Sequence, residues 1–173
     1  AQEPTEEAFR RPLPIPPLLG GTRRSGETVY ELTAASSSRR FFPEFDTPTY
    51  GYNGDYLGPT LRFRRGEQVL IRVHNGLAEM TTVHWHGMEV PGDADGGPHQ
   101  AIPAGTTWEP RFTVDQPAAT LWYHPHPIGD TARQVYLGLA GMIIVEDPLS
   151  GSLDLPRRYG IDDIPLVIQD RRF

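Results

Sequence analysis

The chain contains no cysteine. That excludes disulfides, thiolate metal ligands and a cysteine nucleophile, and it leaves the redox compartment open. It also lacks any apolar run of about eighteen residues, the length a membrane-spanning helix requires. Basic residues are not in excess: 16 Lys and Arg stand against 22 Asp and Glu, for a formal net charge of −6. With no basic stripe to offset that charge, nucleic acid is a poor partner. No internal repeat is visible. What is abundant is turn chemistry, with 18 prolines and 18 glycines in 173 residues. That composition suits a turn-rich β fold, and the length suits one domain with a real core.

Along the chain, residues 1–26 are rich in Pro, Arg and Glu, with Pro12, Pro14, Pro16 and Pro17 close together. They read as an extended arm without a core of its own. Residues 28–34 read as a first strand, and Ser36-Ser37-Ser38-Arg39-Arg40 as a solvated turn. Residues 61–64 and 68–74 read as further strands. In the second, Val69, Ile71 and Val73 share one face, and Leu70, Arg72 and His74 take the other. Asn75-Gly76 ends it. A strand over 81–86 precedes a long loop, 90–104, whose Pro91-Gly92, Asp95-Gly96-Gly97-Pro98 and Pro103 forbid regular structure. Loops that long in a compact domain are often functional. Residues 107–114 read as an edge or bulged strand interrupted by Pro110. Residues 119–124 follow as a strand, then a short helical turn near 129–135. Residues 138–146 read as a buried strand, and 164–169 as a last apolar one. The expected architecture is all-β, a Greek-key β-sandwich or barrel spanning 27–160. Residues 161–173 then either close the sandwich or begin a linker to an absent second domain. The chain begins Ala1-Gln2-Glu3 without a methionine, as a mature form trimmed of an export signal or an engineered boundary would.

The chemistry concentrates in two short motifs, Thr81-Thr82-Val83-His84-Trp85-His86-Gly87 and His124-Pro125-His126. On a strand, residues i and i+2 point to one face. His84 and His86 then project together with Trp85 turned away, and His124 and His126 do the same with Pro125 turned away. Side by side, the two strands place four imidazoles on one surface at roughly 5–7 Å separation. Four rings that far apart do not close on a single ion at an N–metal distance of about 2 Å, but they suit a cluster in which neighbouring imidazoles bind neighbouring metals. Imidazole favours copper, zinc, iron or nickel. The bland alternative is a pair of histidine-bearing strands whose rings face solvent or hydrogen-bond partners.

At these residues the sequence resembles the multicopper oxidases, the laccase-like family, and most closely the bacterial copper-efflux oxidases. The resemblance runs from about Tyr50 to Phe173. It is carried by Tyr52-Asn53-Gly54 with Gly58-Pro59-Thr60, by the 81–87 motif, and by Asp95-Gly96-Gly97-Pro98. Asp115-Gln116-Pro117-Ala118, His124-Pro125-His126 and Gly138-Leu139-Ala140-Gly141 complete it. The arm gives no clear match. The resemblance implies a cupredoxin-like domain, the first of three, with copper as cofactor. His84 would bind the type 2 copper, and His86, His124 and His126 the type 3 pair, of a trinuclear cluster shared with the last domain. The remaining cupredoxin domains of the parent and O2 would be the partners, and a phenolic substrate or Cu(I) would be oxidised elsewhere in the full enzyme. The fragment alone would be inactive, because it carries neither the other four histidines nor a type 1 thiolate. Periplasmic or secreted localisation follows from the family. Asp95 matches the family's acidic position beside the type 2 copper, as a proton relay or an outer anchor of a ligand. Its alternative is an Asx-turn before Gly96-Gly97. The sequence departs from close relatives at Pro127-Ile128-Gly129, where they often carry a polar residue and a further histidine.

Other residues read more plainly. His74 is an exposed strand histidine and His99 a loop histidine. Trp85 reads as core, whereas Trp122 shares the face of His124 and walls the cluster. Arg133 and Gln134 are candidates for hydrogen bonding near the site, and Met88 and Met142 for packing. Three rival readings stand beside the oxidase domain. One is a free-standing copper-buffering domain. Another is a homo-oligomer, whose twofold axis would bring four His-x-His pairs together. The last is a β-sandwich recognition module.

Overall fold

The structure is a computed structural model that describes residues 12–173, so residues 1–11 of the expected arm lie outside the described residues. Among the described residues, ten strands form two sheets. In the first sheet, β1 (Thr22–Arg24), β2 (Glu27–Phe42) and β3 (Phe45–Tyr52) lie beside β5 (Gln68–Asn75), β7 (Thr107–Trp108) and β8 (Arg111–Thr113). The second contains β4 (Leu61–Arg64), β6 (His84–His86), β9 (Ala119–His124) and β10 (Gly141–Glu146), in the order β4-β10-β9-β6. The pairs β2–β5 and β4–β10 are parallel and the others antiparallel. Parallel pairing requires crossovers between the sheets, and the result is the expected Greek-key, cupredoxin-like sandwich. Two short helices, α1 (Thr131–Leu137) and α2 (Pro148–Ser152), fill connections.

The core follows from alternation. On β5, Val69, Ile71 and Val73 are buried on one face and Arg72 and His74 point outward. Leu70, on that outer face, is buried as well, and β5 is an interior strand with β2 on one edge and β7 and β8 on the other. Trp85 of β6 and Tyr123 of β9 are both fully buried, with ring centroids 6.0 Å apart, and Phe63, Phe112, Leu61 and Ile143 complete the interior. Tyr123 lies flat over β10: a Cβ on Gly141 would sit 2.2 Å from its ring, so only glycine fits there.

Several boundaries differ from the sequence reading. Ser36–Arg40 is not a turn. β2 continues through it in register with β3, with Ser36 opposite Tyr50 and Ser38 opposite Pro48, and the chain reverses at residues 43–44. The serine run signals a strand with its faces in water rather than a break, since Ser36, Ser37 and Ser38 are all exposed. The expected strand over 107–114 is split at Glu109–Pro110 into β7 and β8, both on the edge of β5, as a proline without an N–H requires. The strand around the first histidine motif is only His84–His86, and Thr81 is tied instead by a bridge to Ile102. The buried strand expected over 138–146 begins at Gly141, because Gly138 caps α1. Residues 164–169 form no strand; Leu166 and Ile168 are exposed, and the Gln169 side chain reaches Tyr56 and the Val135 carbonyl. An apolar stretch becomes a strand only beside a free sheet edge, and this one has no strand partner among the described residues. The arm is not free of the domain from Pro16 onward. Leu19 donates to the Thr60 carbonyl, Thr60 donates to that of Pro17, and the Tyr159 hydroxyl reaches Pro16.

Candidate metal centre

The centre is built by the register of β6 against β9. His84 is the Cα partner of His124, Trp85 of Tyr123, and His86 of Trp122. Alternation then sorts the side chains. Trp85 and Tyr123 enter the core, while His84, His86, Trp122 and His124 share the outer face. His126 lies two residues beyond the end of β9 and returns to the same face. The centroid of the His84 ring is 5.6 Å from that of His86, 5.5 Å from His124 and 5.7 Å from His126. The His124 ring is 5.4 Å from His86 and 6.0 Å from His126. The four-imidazole surface expected from the two motifs is therefore present at the expected spacing.

Ring orientation favours ligation. His84 Nδ1 lies 3.0 Å from the Asp95 carbonyl oxygen and 3.2 Å from Asp95 Oδ2. His124 Nδ1 lies 2.8 Å from the Pro125 carbonyl. An Nδ1–H donated to an oxygen leaves the lone pair on Nε2, an arrangement that suits a metal-binding histidine. On His84 that lone pair is turned from the anchoring oxygens, and on His124 it faces the His86 ring. His86 Nδ1 lies 3.2 Å from His124 Nε2. The ligand atoms of His84, His86 and His124 lie within 4.8 Å of one another. Burial holds the His124 imidazole down to about 4, against a partial rise from the Pro125 carbonyl, and the neighbouring His84, His86 and His126 rings push it the same way as burial. His124 is thus neutral at physiological pH, which is the protonation state a metal takes up. Trp122 stacks on it at 4.0 Å and 21° and walls the cluster as expected.

Asp95 is brought to the histidines by the long loop. The Trp85 indole N–H donates to the Ala94 carbonyl at 3.0 Å, and the Trp85 amide to that of Asp95 at 3.3 Å. Gly96 makes the close approach possible: its φ is +76°, and a Cβ there would lie 1.7 Å from the Val83 carbonyl oxygen. The loop is stitched further by Thr81 and Ile102, whose amides exchange hydrogen bonds.

The remaining candidates separate cleanly. His74 is exposed and reaches the Thr107 hydroxyl, and His99 is exposed in a turn; neither belongs to the group of ligand atoms formed by His84, His86 and His124. Met88 packs in the core and Met142 is half-buried on β10. Arg133 pairs with Asp130 and Glu79 rather than with the histidines. Gln134 is buried and holds the approach to β6, accepting from the Thr81 hydroxyl at 2.7 Å and donating to the Met80 carbonyl at 2.9 Å. Thr82 was not singled out by the sequence, yet its hydroxyl accepts the His126 amide at 2.6 Å. Gln116, quoted only within a motif, clamps the Gly87–Glu89 turn that leaves β6. Thr82 stands inside the first histidine motif, which was the available signal for it, whereas nothing local marks Gln116.

Known proteins share both the fold and the sequence. A family profile described as multicopper oxidase matches residues 35–150. The chain is 46% identical over 149 residues to the multicopper oxidase mco of Staphylococcus haemolyticus, covering 86% of this chain and 33% of that protein. It is 42% identical over 163 residues to the cell division protein FtsP of Escherichia coli, covering 94% of this chain and 34% of that one. The crystal structure of a laccase from Pediococcus acidilactici superposes with a TM-score of 0.92 at 43% identity, covering all of this chain and 37% of the laccase. The chain therefore spans about a third of the length of these relatives. Among the described residues no helix is long and apolar enough to cross a membrane. With two thirds of its residues matched by one family profile, and with its paired histidine motifs set face to face, the chain belongs to the multicopper oxidase family.

Proposed function

We propose that this chain is the N-terminal cupredoxin domain of a multicopper oxidase and supplies half the histidine ligands of its trinuclear copper cluster. His84 takes the type 2 copper, and His86, His124 and His126 the type 3 pair. The observation that carries the reading is the pairing of His84 with His124, which brings three imidazole ligand atoms within 4.8 Å on an open face. The donor set fits copper, since neutral imidazoles are its common nitrogen ligands and no thiolate is present to favour a softer site. Bound copper supplies the one-electron chemistry by which O2 is reduced to water. The chain's own residues do the rest. Asp95 fixes the His84 ring through Nδ1, and its carboxylate at 3.2 Å is placed to hold a proton beside the cluster. Trp122 covers one side of His124. His86 and His126 remain exposed, facing the side from which a second set of ligands would approach. Electrons from a phenolic substrate or Cu(I) enter through another domain of the parent, so the chain alone has no oxidase turnover. The parent works in the periplasm or outside the cell.

A second reading is favoured by one feature, the assembly of three ligand atoms without help from any other domain. On that reading the chain, alone or as a homo-oligomer, holds copper without turning over. Calorimetric titration with copper, read in parallel by EPR, separates the two for the chain and its His84→Ala/His126→Ala variant. Weak or no uptake by the isolated chain, with tight uptake by the parent, is the expected result. Tight stoichiometric uptake by the isolated chain, lost in the variant, supports the buffering reading, and a doubled solution mass on copper addition selects the homo-oligomer. A full-length parent that takes up no copper at all overturns both and leaves a role without copper, for which the cell division named for FtsP offers one direction.

A further inference from the structure

Three of the four histidines are held by the β6–β9 ladder, but His126 is not. β9 ends at His124, and Pro125 and Pro127 on either side of His126 have no N–H to donate. Continued by two residues, the β6–β9 register puts Thr82 directly opposite His126. No ladder bond forms there. The fully buried Thr82 instead turns its hydroxyl oxygen to the His126 amide, at 2.6 Å. A side-chain oxygen thus stands where a strand's carbonyl would accept. The segment carrying Thr82 is itself clamped from α1. The Thr81 hydroxyl donates to Gln134 Oε1 at 2.7 Å, and Gln134 Nε2 donates to the Met80 carbonyl at 2.9 Å. Thr81 and Gln134 are both buried, and these bonds satisfy their side-chain polar atoms. α1 begins five residues after His126, so the clamp closes a loop from His126 through the helix and back to the residue that holds its amide.

We propose that the Thr82 hydroxyl, braced by Thr81 and Gln134, is the positioning group for His126. It replaces the missing strand pairing and sets the direction in which that imidazole leaves the domain. Its purpose rests on the reading of His126 as a copper ligand, whereas the contact itself can be tested without metal. The hydrogen bonds of Thr82 and Gln134 go to the His126 amide, the Thr81 hydroxyl and the Met80 carbonyl, and not to an imidazole. Their effect passes through the His126 backbone alone, which is the one backbone of the four without a strand neighbour.

The test is NMR of the isotope-labelled, metal-free chain, comparing Thr82→Val with Thr82→Ser. Valine keeps the shape and removes the acceptor; serine keeps the acceptor. The expected result for Thr82→Val is about tenfold faster hydrogen exchange at the His126 amide. The His126 ring resonances should move, while those of His84, His86 and His124 stay in place. Thr82→Ser should restore slow exchange and the original ring signals. Unchanged exchange in Thr82→Val, or equal loss in Thr82→Ser, overturns the inference. Should Thr82→Val not fold, Gln134→Met decides: faster exchange confined to His126 supports the brace, and unchanged exchange defeats it. With copper(II) alone added to the full-length parent, Thr82→Val should weaken uptake; uptake as tight as wild type also defeats the inference. If the parent takes up no copper while the metal-free result holds, the copper reading fails and the Thr82 contact stands.

Discussion

His84 and His124 face each other as Cα partners across β6 and β9, their rings 5.5 Å apart and close to perpendicular. Each ring is anchored through Nδ1 by an oxygen on a different loop, Asp95 for one and Pro125 for the other. Strand register sets the separation of the two imidazoles, and the loops set their rotation.

If His84 is a ligand as proposed, removing one anchor should therefore loosen its ring without removing it. Asp95→Ala deletes the carboxylate but leaves the main-chain oxygen 3.0 Å from His84 Nδ1. Copper affinity of the full-length parent should fall by about tenfold, the low end of what outer partners of metal histidines contribute. Competition titration against a chelator of known affinity measures it. A hundredfold loss would mean that the carboxylate, not the carbonyl, orients the ring.

Trp85 links the core to the same loop. It is fully buried, stacks with Trp108 at 6.2 Å and donates to the Ala94 carbonyl. Trp85→Ala should cost about 3–5 kcal/mol by urea denaturation, the range for large aromatic-to-alanine changes in cores. Trp85→Phe should cost less in stability. It should still broaden the Asp95 resonances, because the indole donor that pins the loop is gone.

Gly96 is the tightest point of the site. With φ at +76° and the Val83 carbonyl oxygen 1.7 Å from where a Cβ would be, Gly96→Ala must displace the loop or the strand entry. Destabilisation above about 2 kcal/mol is expected, in the class of substitutions that break a required backbone conformation. Gly92→Ala, in the same loop with open space around it, should be close to neutral. Equal midpoints for the two variants in urea would refute this account of the loop.

The pH dependence follows from His124. Burial lowers its folded value to about 4, from an ordinary value of 6.5. The unfolded chain therefore takes up this proton first as pH falls, and the folded chain resists it. The contribution to stability is full above about 6.5 and is lost progressively down to about 4. Urea midpoints of the metal-free chain should drop over that window, and a His124→Gln variant should show a flatter profile. Direct titration of the ring by NMR should find His124 neutral at pH 5. A ring protonated at pH 6 would contradict the burial argument.

Much of the site was legible because its signal is local. Two His-x-His motifs on strands place their rings on one face by pleat geometry alone, and the tryptophan between the first pair turns inward for the same reason. The Pro110 break, the long Asp95 loop and the Greek-key class were likewise readable from residues near in sequence. The misreadings share a cause. Ser36–Arg40 looked like a turn by composition, but a strand whose own side chains are largely exposed carries the same residues. Residues 164–169 looked like a strand by hydrophobicity, but a strand needs an edge to pair with, and no composition records whether one is free.

The sequence by itself determined the fold class and the face on which the four histidines gather, because alternation along a strand needs no information from elsewhere in the chain. Only the tertiary structure decided that His84 stands opposite His124 and that Asp95 closes on His84 around Gly96. It also decided that Thr82 takes over the amide of the one histidine beyond the ladder. Register, loop closure and side-chain substitution for a missing strand bond all join residues eleven or more apart. Which distant pairs meet is settled by packing the two sheets around Trp85 and Tyr123, and no local pattern carries that choice.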